Sequence, residues 1–534
     1  MELDKFIEYL KKFSKYKNQD SGKRIFFDIL GAEIPGYIYS SALFTITMNK
    51  LGYNIDYQIG NNQGKLKKIY SFNAVNFFTP KKYKILKYLP KMMLLNLINI
   101  PNYFSVNKLF NMYIDNVYVG DLIYDSYNRR EEQPSIDEIN LKYFRKINEA
   151  FFYYCYYVDI FKSNKYEYTI LNHNCYISNA LIGRVSQRFG SKPILLSGDY
   201  MGILARKLYP DDAVFNFYSI MNTKLYKESL EREKLVKKAE VFFDNVMNQT
   251  VKTHDSVNFE VAKTITDIQE RIEVLKYKNS GKKIVVISSH VLIDNIVGSD
   301  GRRQTYRDIL VWLRETLILC EKNKNIITFL KPHPREYAFK YTPTIIDVYN
   351  DLNLKNIKLW PDNLDMKDNH DLIDAIITIR GSVSFEFPGF GIPVILAGKD
   401  HAGASGFGIV NEIDKVDEYE KAIANIHNLK KLDDVSIRKS KLIYFMYFNS
   451  IFYKLGDELR FKKEDLFKEE YLVTDPKQLP LNPYKDNVAD ILIEKLEKFE
   501  ENYKEYLANW VNFLNDDSLT LLGEIQYKER YLSD

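Results

Sequence analysis

Cysteine is scarce in this chain: Cys155, Cys175 and Cys320 are the three in 534 residues, far apart and in no Cys-x-x-Cys or Cys/His spacing. The scarcity argues against a disulfide framework and a structural zinc, and suggests a reducing compartment in which the three serve as small apolar side chains. Long apolar runs are missing too. No stretch reaches the roughly 18 residues of a membrane span, and the leading MELDKFIEYLKKFSKYK is amphipathic rather than apolar-centred like a signal peptide. A soluble protein, peripheral at most, is expected. A dominant charge sign is the third absence: 75 Lys+Arg stand against 71 Asp+Glu, so no overall field favours nucleic acid. Solenoid repeats and long low-complexity segments are not seen.

A chain of this length exceeds a single core and suggests two domains of about 200 residues with additions. KRIFFDIL (23–30) reads as a buried strand, followed by a Gly/Pro loop and a helix that ends at Gly52. NVYVGDLIYDSYNRR (116–130) reads as a strand running into a polar turn. The segment 166–198 gives strand, turn, helix and strand, with Gly190 at the helix end. Such repeated β-then-α units favour a doubly wound, largely parallel sheet. Between these lies a basic and apolar stretch, from GKLKKIY to TPKKYKILKYLPKMMLLNLINI. It is either a helical arm packed on the core or a face for a membrane surface or lipid acceptor.

After a charged helical segment, strands resume at GKKIVVISSHV, and a compact Rossmann-like region runs to about residue 415. The expected organisation is therefore an N-terminal Rossmann-like, acceptor-binding domain over 1–275, a nucleotide-sugar-binding one over 276–415, and a helical tail over 416–534, broken at TDPKQLPLNPY, that packs back on the first domain.

In open α/β sheets, ligands lie outside the carboxyl ends of the strands. Two motifs fall there. In LKPHPREY (330–337), Pro332 and Pro334 fix φ and remove N–H donors on either side of His333, one of seven histidines, while Lys331 and Arg335 add positive charge. In IRGSVSFEFPGFGIPVILAGK (379–399), a strand ends at Arg380 and Gly381 permits close backbone approach. Ser382 or Ser384 is placed to cap the next helix, and Glu386 in its first turn suits ribose hydroxyls. Together they fit a nucleotide mono- or diphosphate sugar, with His333 donating to the leaving phosphate. The loop SSHVLIDNIVGSDGRR (288–303) either reaches the same phosphate through Gly298, Gly301 and Arg302, with Asp294 orienting His290, or is a surface loop.

These residues also carry a family resemblance. From ISSHVLIDN through WLRETL, FLKPHPRE, DAIITIRGSVSFEFPGFGIPVILAGK and GFGIV, with GDLIYDSYNRR in the first half, the chain resembles bacterial surface-polysaccharide glycosyltransferases of the GT-B type, particularly capsule-biosynthesis proteins. The His-Pro element is similar to that of transferases using CMP-activated donors and of polymerases using CDP-glycerol or CDP-ribitol. The resemblance implies two Rossmann-like domains facing a cleft and an inverting, metal-independent transfer from a nucleotide sugar, without a cofactor, to a glycan or lipid-linked glycan. It also implies a cytoplasmic location on the inner face of the membrane. An inverting transfer needs a base for the acceptor hydroxyl. Asp125 and Glu33 lead the candidates, with Asp121 and His173 behind. The structural alternatives are a turn residue for Glu33, a turn or helix cap for Asp121, a partner of Arg129 or Arg130 for Asp125, and a core histidine for His173. An epimerase of the same architecture and a non-catalytic assembly subunit are the other readings.

Overall fold

The computed structural model describes residues 2–13, 22–30, 35–60, 63–71, 74–80, 85–173, 175–199, 202–208, 223–248, 268–293, 304–334, 336, 339–399, 407–454 and 488–533. The chain divides into two compact units. The first comprises Met1–Tyr127, Asp137–Ala213 and Ser450–Glu529; the second comprises Asn128–Ile136, Val214–Asn449 and Arg530–Asp534. Residues 214–275 and 416–449 thus fall in the second unit, and 450–529 in the first.

The first unit is built on β1 (Arg24–Asp28), β2 (Asn54–Gln58), β3 (Ala74–Phe78), β6 (Tyr168–Leu171), β7 (Lys192–Asp199) and β8 (Gly202–Lys207), with β4 (Tyr113–Ile114) and β5 (Val117–Tyr118) as a separate hairpin. The sheet order is β3-β2-β1-β6-β7-β8, parallel except for the β7/β8 pair. Ile25, Phe27, Ile55, Tyr57, Ile170 and Ile194 enter one core with the helix Pro35–Lys50. The tail helix Val488–Asn515 brings Leu492, Leu496, Phe499, Tyr506, Trp510 and Phe513 into the same core, a three-and-four spacing that keeps one face inward. Its Trp510 ring meets Phe44 at 5.1 Å. The TDPKQLPLNPY break lies outside the described residues.

The second unit repeats the plan with β9 (Lys283–Ser288), β10 (Ile326–Lys331), β11 (Ile357–Leu359), β12 (Ala375–Thr378), β13 (Val394–Leu396) and β14 (Asn411–Glu412). Their order is β11-β10-β9-β12-β13-β14, all parallel. Parallel strands covered on both faces need continuous apolar runs, and Ile284 to Ile287 are all buried. Counted from its own first strand, each sheet runs 3-2-1-4-5-6, the doubly wound Rossmann order. The α/β class and the two Rossmann-like halves expected from sequence are the observed ones. In such a sheet the crevice opens where the strand order reverses, between β1 and β6 in one unit and between β9 and β12 in the other.

One local expectation is corrected. GDLIYDSYNRRE is the helix Gly120–Glu131 rather than a strand leading into a turn. Every residue from Gly120 to Asn128 is buried, its apolar side chains Leu122, Ile123, Tyr124 and Tyr127 together with the polar Asp121, Asp125 and Asn128. Gly120 is required at its start, because a Cβ there would lie 2.0 Å from the carbonyl oxygen of Phe110.

Candidate functional site

At the switch point of the second unit three strand ends converge. β9 closes with Ser288, and the N–H of Ser289 still donates to Lys331 O of β10 at 3.1 Å, which brings the next residue, His290, beside the His-Pro turn. The rings of His290 and His333 lie 5.2 Å apart and are tilted by 47°. From the other side, Thr378 Oγ1 lies 3.0 Å from Ser288 O and 2.8 Å from Arg380 O, tying the end of β12 to that of β9. Gly381 follows at φ +111°, a conformation that favours glycine, so the chain turns sharply away and leaves the crevice to Arg380.

The electrostatics agree with this geometry. The His290 pKa falls to about 3, first through burial and second through the Arg380 charge. Both causes favour a neutral imidazole at pH 7. Arg380 is itself buried, at 8 % exposure. Burial also lowers the Lys331 pKa, against the carboxylates of Asp362, Asp365 and Glu270. The result is a cluster of cationic and neutral N–H donors at the strand ends, suited to an anion.

The His-Pro turn is anchored by the glutamate of KPHPRE. The N–H of Glu336 donates to His333 O at 2.9 Å, and its carboxylate accepts from Tyr341 Oη at 2.7 Å and from the Ile345 N–H at 2.6 Å. Burial raises the Glu336 pKa against these two donors. Glu336→Ala strands both of them and is expected to cost about 1–3 kcal/mol of stability, read from urea unfolding; an unchanged midpoint would show that the turn needs no such anchor.

The glycine-serine segment differs in detail from expectation. The helix is only Val383–Glu386, passing into a 3₁₀ turn Phe387–Phe390 that ends on Gly391 at φ +81°. Neither serine caps it. Ser382 sits at φ −63°, ψ −25°, helical rather than the extended backbone from which a cap hydroxyl reaches forward, and Ser384 Oγ donates back to Gly381 O at 2.8 Å. Glu386 is buried at 1 % exposure and accepts from Lys367 Nζ at 2.9 Å. Arg335, Asp294, Gly298, Gly301 and Arg302 lie outside the described residues, as does Glu33.

Asp121 in the first unit makes a two-pronged pair with Arg184, Oδ1 to Nη1 and Oδ2 to Nη2, both at 2.7 Å. Both carboxylate oxygens are thus held by one guanidinium. Asp125 is buried on the same helix. His173 is exposed rather than in the core, accepts the Cys175 N–H through Nδ1 at 3.1 Å and stacks on Tyr176.

The residues that sequence reasoning missed sit at the first unit's own switch point. Asp28 ends β1, Gln58 ends β2, and Asn172 follows β6. All three are buried. Gln58 Nε2 donates to Asp28 Oδ1 at 3.3 Å and to Tyr157 Oη at 3.0 Å, and Asn172 Nδ2 donates to Asp28 O at 2.7 Å. Asp28 Oδ2, Gln58 Oε1 and Asn172 Oδ1 are buried oxygens without a hydrogen-bond partner among the described residues. Burial lifts the Asp28 pKa to about 8, against the Leu30 N–H and Gln58. A signal existed in RIFFD, NIDYQ and YTILN, where each strand run closes on a polar residue.

No protein-family model matches the chain, and a search of the curated protein sequences finds no match. Among solved structures, the chain is similar to a UDP-GlcNAc 2-epimerase from Neisseria meningitidis bound to UDP-GlcNAc, at 12 % identity over 79 % of this chain and 99 % of that one, with a TM-score of 0.22. It is similar to the KpsC beta Kdo 2,7 transferase of Thermosulfurimonas dismutans, at 12 % identity over 70 % and 94 % of the two chains, with a TM-score of 0.31. Anabaena Alr3699/HepE in complex with UDP matches at 11 % identity over 80 % and 95 %, with a TM-score of 0.26.

Proposed function

We propose that the chain is a glycosyltransferase that takes a nucleotide-activated sugar at the carboxyl edge of the second unit's sheet and passes the sugar, with inversion, to a surface polysaccharide or glycolipid. The observation that carries this reading is the meeting of His290 and His333 beside the buried Arg380 at the β9/β12 switch point. In the proposed step an acceptor hydroxyl oxygen bonds to the anomeric carbon as the bond from that carbon to the phosphate oxygen breaks. The nucleotide departs with the electron pair, and the acceptor proton passes to a carboxylate, for which Asp125 and Glu33 are the proposals. Negative charge grows on the leaving phosphate. Arg380, Lys331 and an N–H of His333 stabilise it without a metal, and Gly381 lets the phosphate approach the backbone. Arg335, Gly298 and Arg302 remain proposals for the same anion, and Ser382 and Ser384 for polar contacts to the donor.

Glu386, held by Lys367, is proposed to order the ribose hydroxyls. Glu386→Gln keeps the shape but removes the charge, and is expected to raise the donor KM about tenfold with kcat little changed, the size of one lost charge-assisted hydrogen bond; an unaltered donor KM would remove the ribose role. Mass spectrometry of products from CMP-, UDP- and GDP-sugars and from CDP-polyols tests the reaction class. Transfer of a glycosyl group with release of free nucleotide supports the proposal. A phosphodiester product with release of CMP would assign a polyol-phosphate transferase instead, and an isomerised donor without transfer would assign an epimerase.

A further inference from the structure

Of the seventeen large apolar side chains exposed among the described residues, eight lie between Leu86 and Phe104 of the first unit. They occupy the outer face of the helix Ile85–Asn99 and the following 3₁₀ turn Ile100–Phe104. Leu86 is 76 % exposed, Leu97 63 % and Phe104 81 %. The opposite face is fixed. Tyr88, Met92, Leu95 and Asn99 are buried, Tyr88 Oη donates to Asp159 at 2.9 Å, its ring meets Phe152 at 6.0 Å, and Asn96 Nδ2 donates to Asn148 Oδ1 at 2.9 Å. One side of the helix is therefore packed and the other is exposed and apolar. A free face this apolar calls for an occupant.

The charge around it selects one. From residue 57 to residue 114 the sequence contains nine lysines and neither aspartate nor glutamate, although 71 acidic residues are spread over the 534 of the chain. Lys87 and Lys91 lie on the helix itself, Lys87 paired with Asp159 of the neighbouring helix at 2.6 Å, and Lys81, Lys82 and Lys84 immediately precede it in sequence. A second copy docking face to face about a two-fold axis would set lysines against lysines. An anionic lipid surface would attract the lysines and take up the apolar side chains together. The helix has 15 residues, about 22 Å of rise, too short to cross a bilayer core, and no helix of the described residues is long and apolar enough to do so. It suits lying in the interface.

We propose that the outer face of Ile85–Phe104, with Leu86, Met93, Leu94, Leu97, Ile98 and Phe104 as its apolar side chains, docks the protein on an anionic membrane surface. The proposal stands apart from the nucleotide-sugar reading. The test is co-sedimentation of the full chain with vesicles of phosphatidylglycerol and phosphatidylcholine in equal parts, with phosphatidylcholine vesicles alone as the comparison. Leu94 and Leu97 are exposed, so the double variant Leu94→Glu/Leu97→Glu is expected to keep the wild-type melting midpoint, which is measured alongside. The wild type should partition onto the anionic vesicles, at least about tenfold more strongly than onto the neutral ones and more weakly at high salt. The variant should lose about tenfold or more. If that variant does not fold, Lys87→Gln/Lys91→Gln serves in its place and should weaken binding to anionic vesicles severalfold. Three results would overturn the proposal: a wild type that stays in the supernatant, a folded variant that binds as the wild type does, and a variant whose only change is loss of self-association by analytical ultracentrifugation.

Discussion

His333→Ala is expected to lower turnover about a hundredfold, the loss typical of removing one preorganised donor from a developing negative charge. The substitution is clean in structural terms. The bond that closes the His-Pro turn is from the Glu336 N–H to the backbone oxygen of His333, and the Glu336 carboxylate is held by Tyr341 and Ile345, so truncating the imidazole leaves the turn's anchors in place. The drop should appear in kcat and in kcat/KM to a similar degree, since the charge it meets forms as the bond breaks. His333→Gln, which keeps an N–H donor, should recover part of it. Turnover like the wild type's in His333→Ala would remove His333 from the reaction and leave the turn as a structural feature of the loop.

Asp28→Asn is expected to stabilise the protein at neutral pH, contrary to the usual cost of altering a buried polar residue. The Asp28 carboxyl has its pKa raised by burial from 3.8 to about 8 in the folded chain. The sign follows from proton counting. Between pH 4 and pH 8, roughly, the folded state holds a proton on Asp28 that the unfolded state has lost, so this group's contribution to stability falls as pH rises through that window and levels off above it. At pH 7 the cost amounts to about 4 kcal/mol. Asparagine carries no such titration and supplies two N–H donors to a cluster in which Gln58 Oε1 and Asn172 Oδ1 are acceptors without a partner among the described residues. Thermal melts of both proteins at pH 5 and pH 8 should therefore diverge, with the variant ahead at pH 8 and the gap narrowing at pH 5. A variant less stable at both pH values would mean that Asp28 is ionised in the fold and paired.

Much of this organisation was legible in the sequence, for local reasons. The runs around β9, β10, β12 and β13 are β-branched or leucine-rich and punctuated by glycine or proline, so their type and place could be read directly. The His-Pro and Arg-Gly-Ser segments stood out because proline and glycine constrain the chain where a strand ends. What stayed hidden depends on contacts distant in sequence. β2 and β3, in NIDYQ and AVNFF, mix polar and apolar residues over five positions and are fixed by parallel pairing to β1 and to each other. The helix Gly120–Glu131 was obscured by its polar face. The ring contact of His290 with His333 needs β9 to pair with β10, which no local pattern contains. Asp28, within the run read as the strand KRIFFDIL, and Gln58 and Asn172 carry no local sign of one another, and only the sheet order of the first unit makes them neighbours.

The central claim is that the β9/β12 switch point holds the nucleotide part of the donor. A ligand that binds the folded state raises its melting temperature in proportion to the logarithm of its concentration over Kd. Melting the wild type and His333→Ala against CMP, CDP, UDP, GDP and dTDP measures this directly. The account predicts that one nucleotide class shifts the wild type by several degrees at saturating concentration and shifts His333→Ala markedly less. A wild type that responds to none of the five, or a shift that is the same in both proteins, would contradict it.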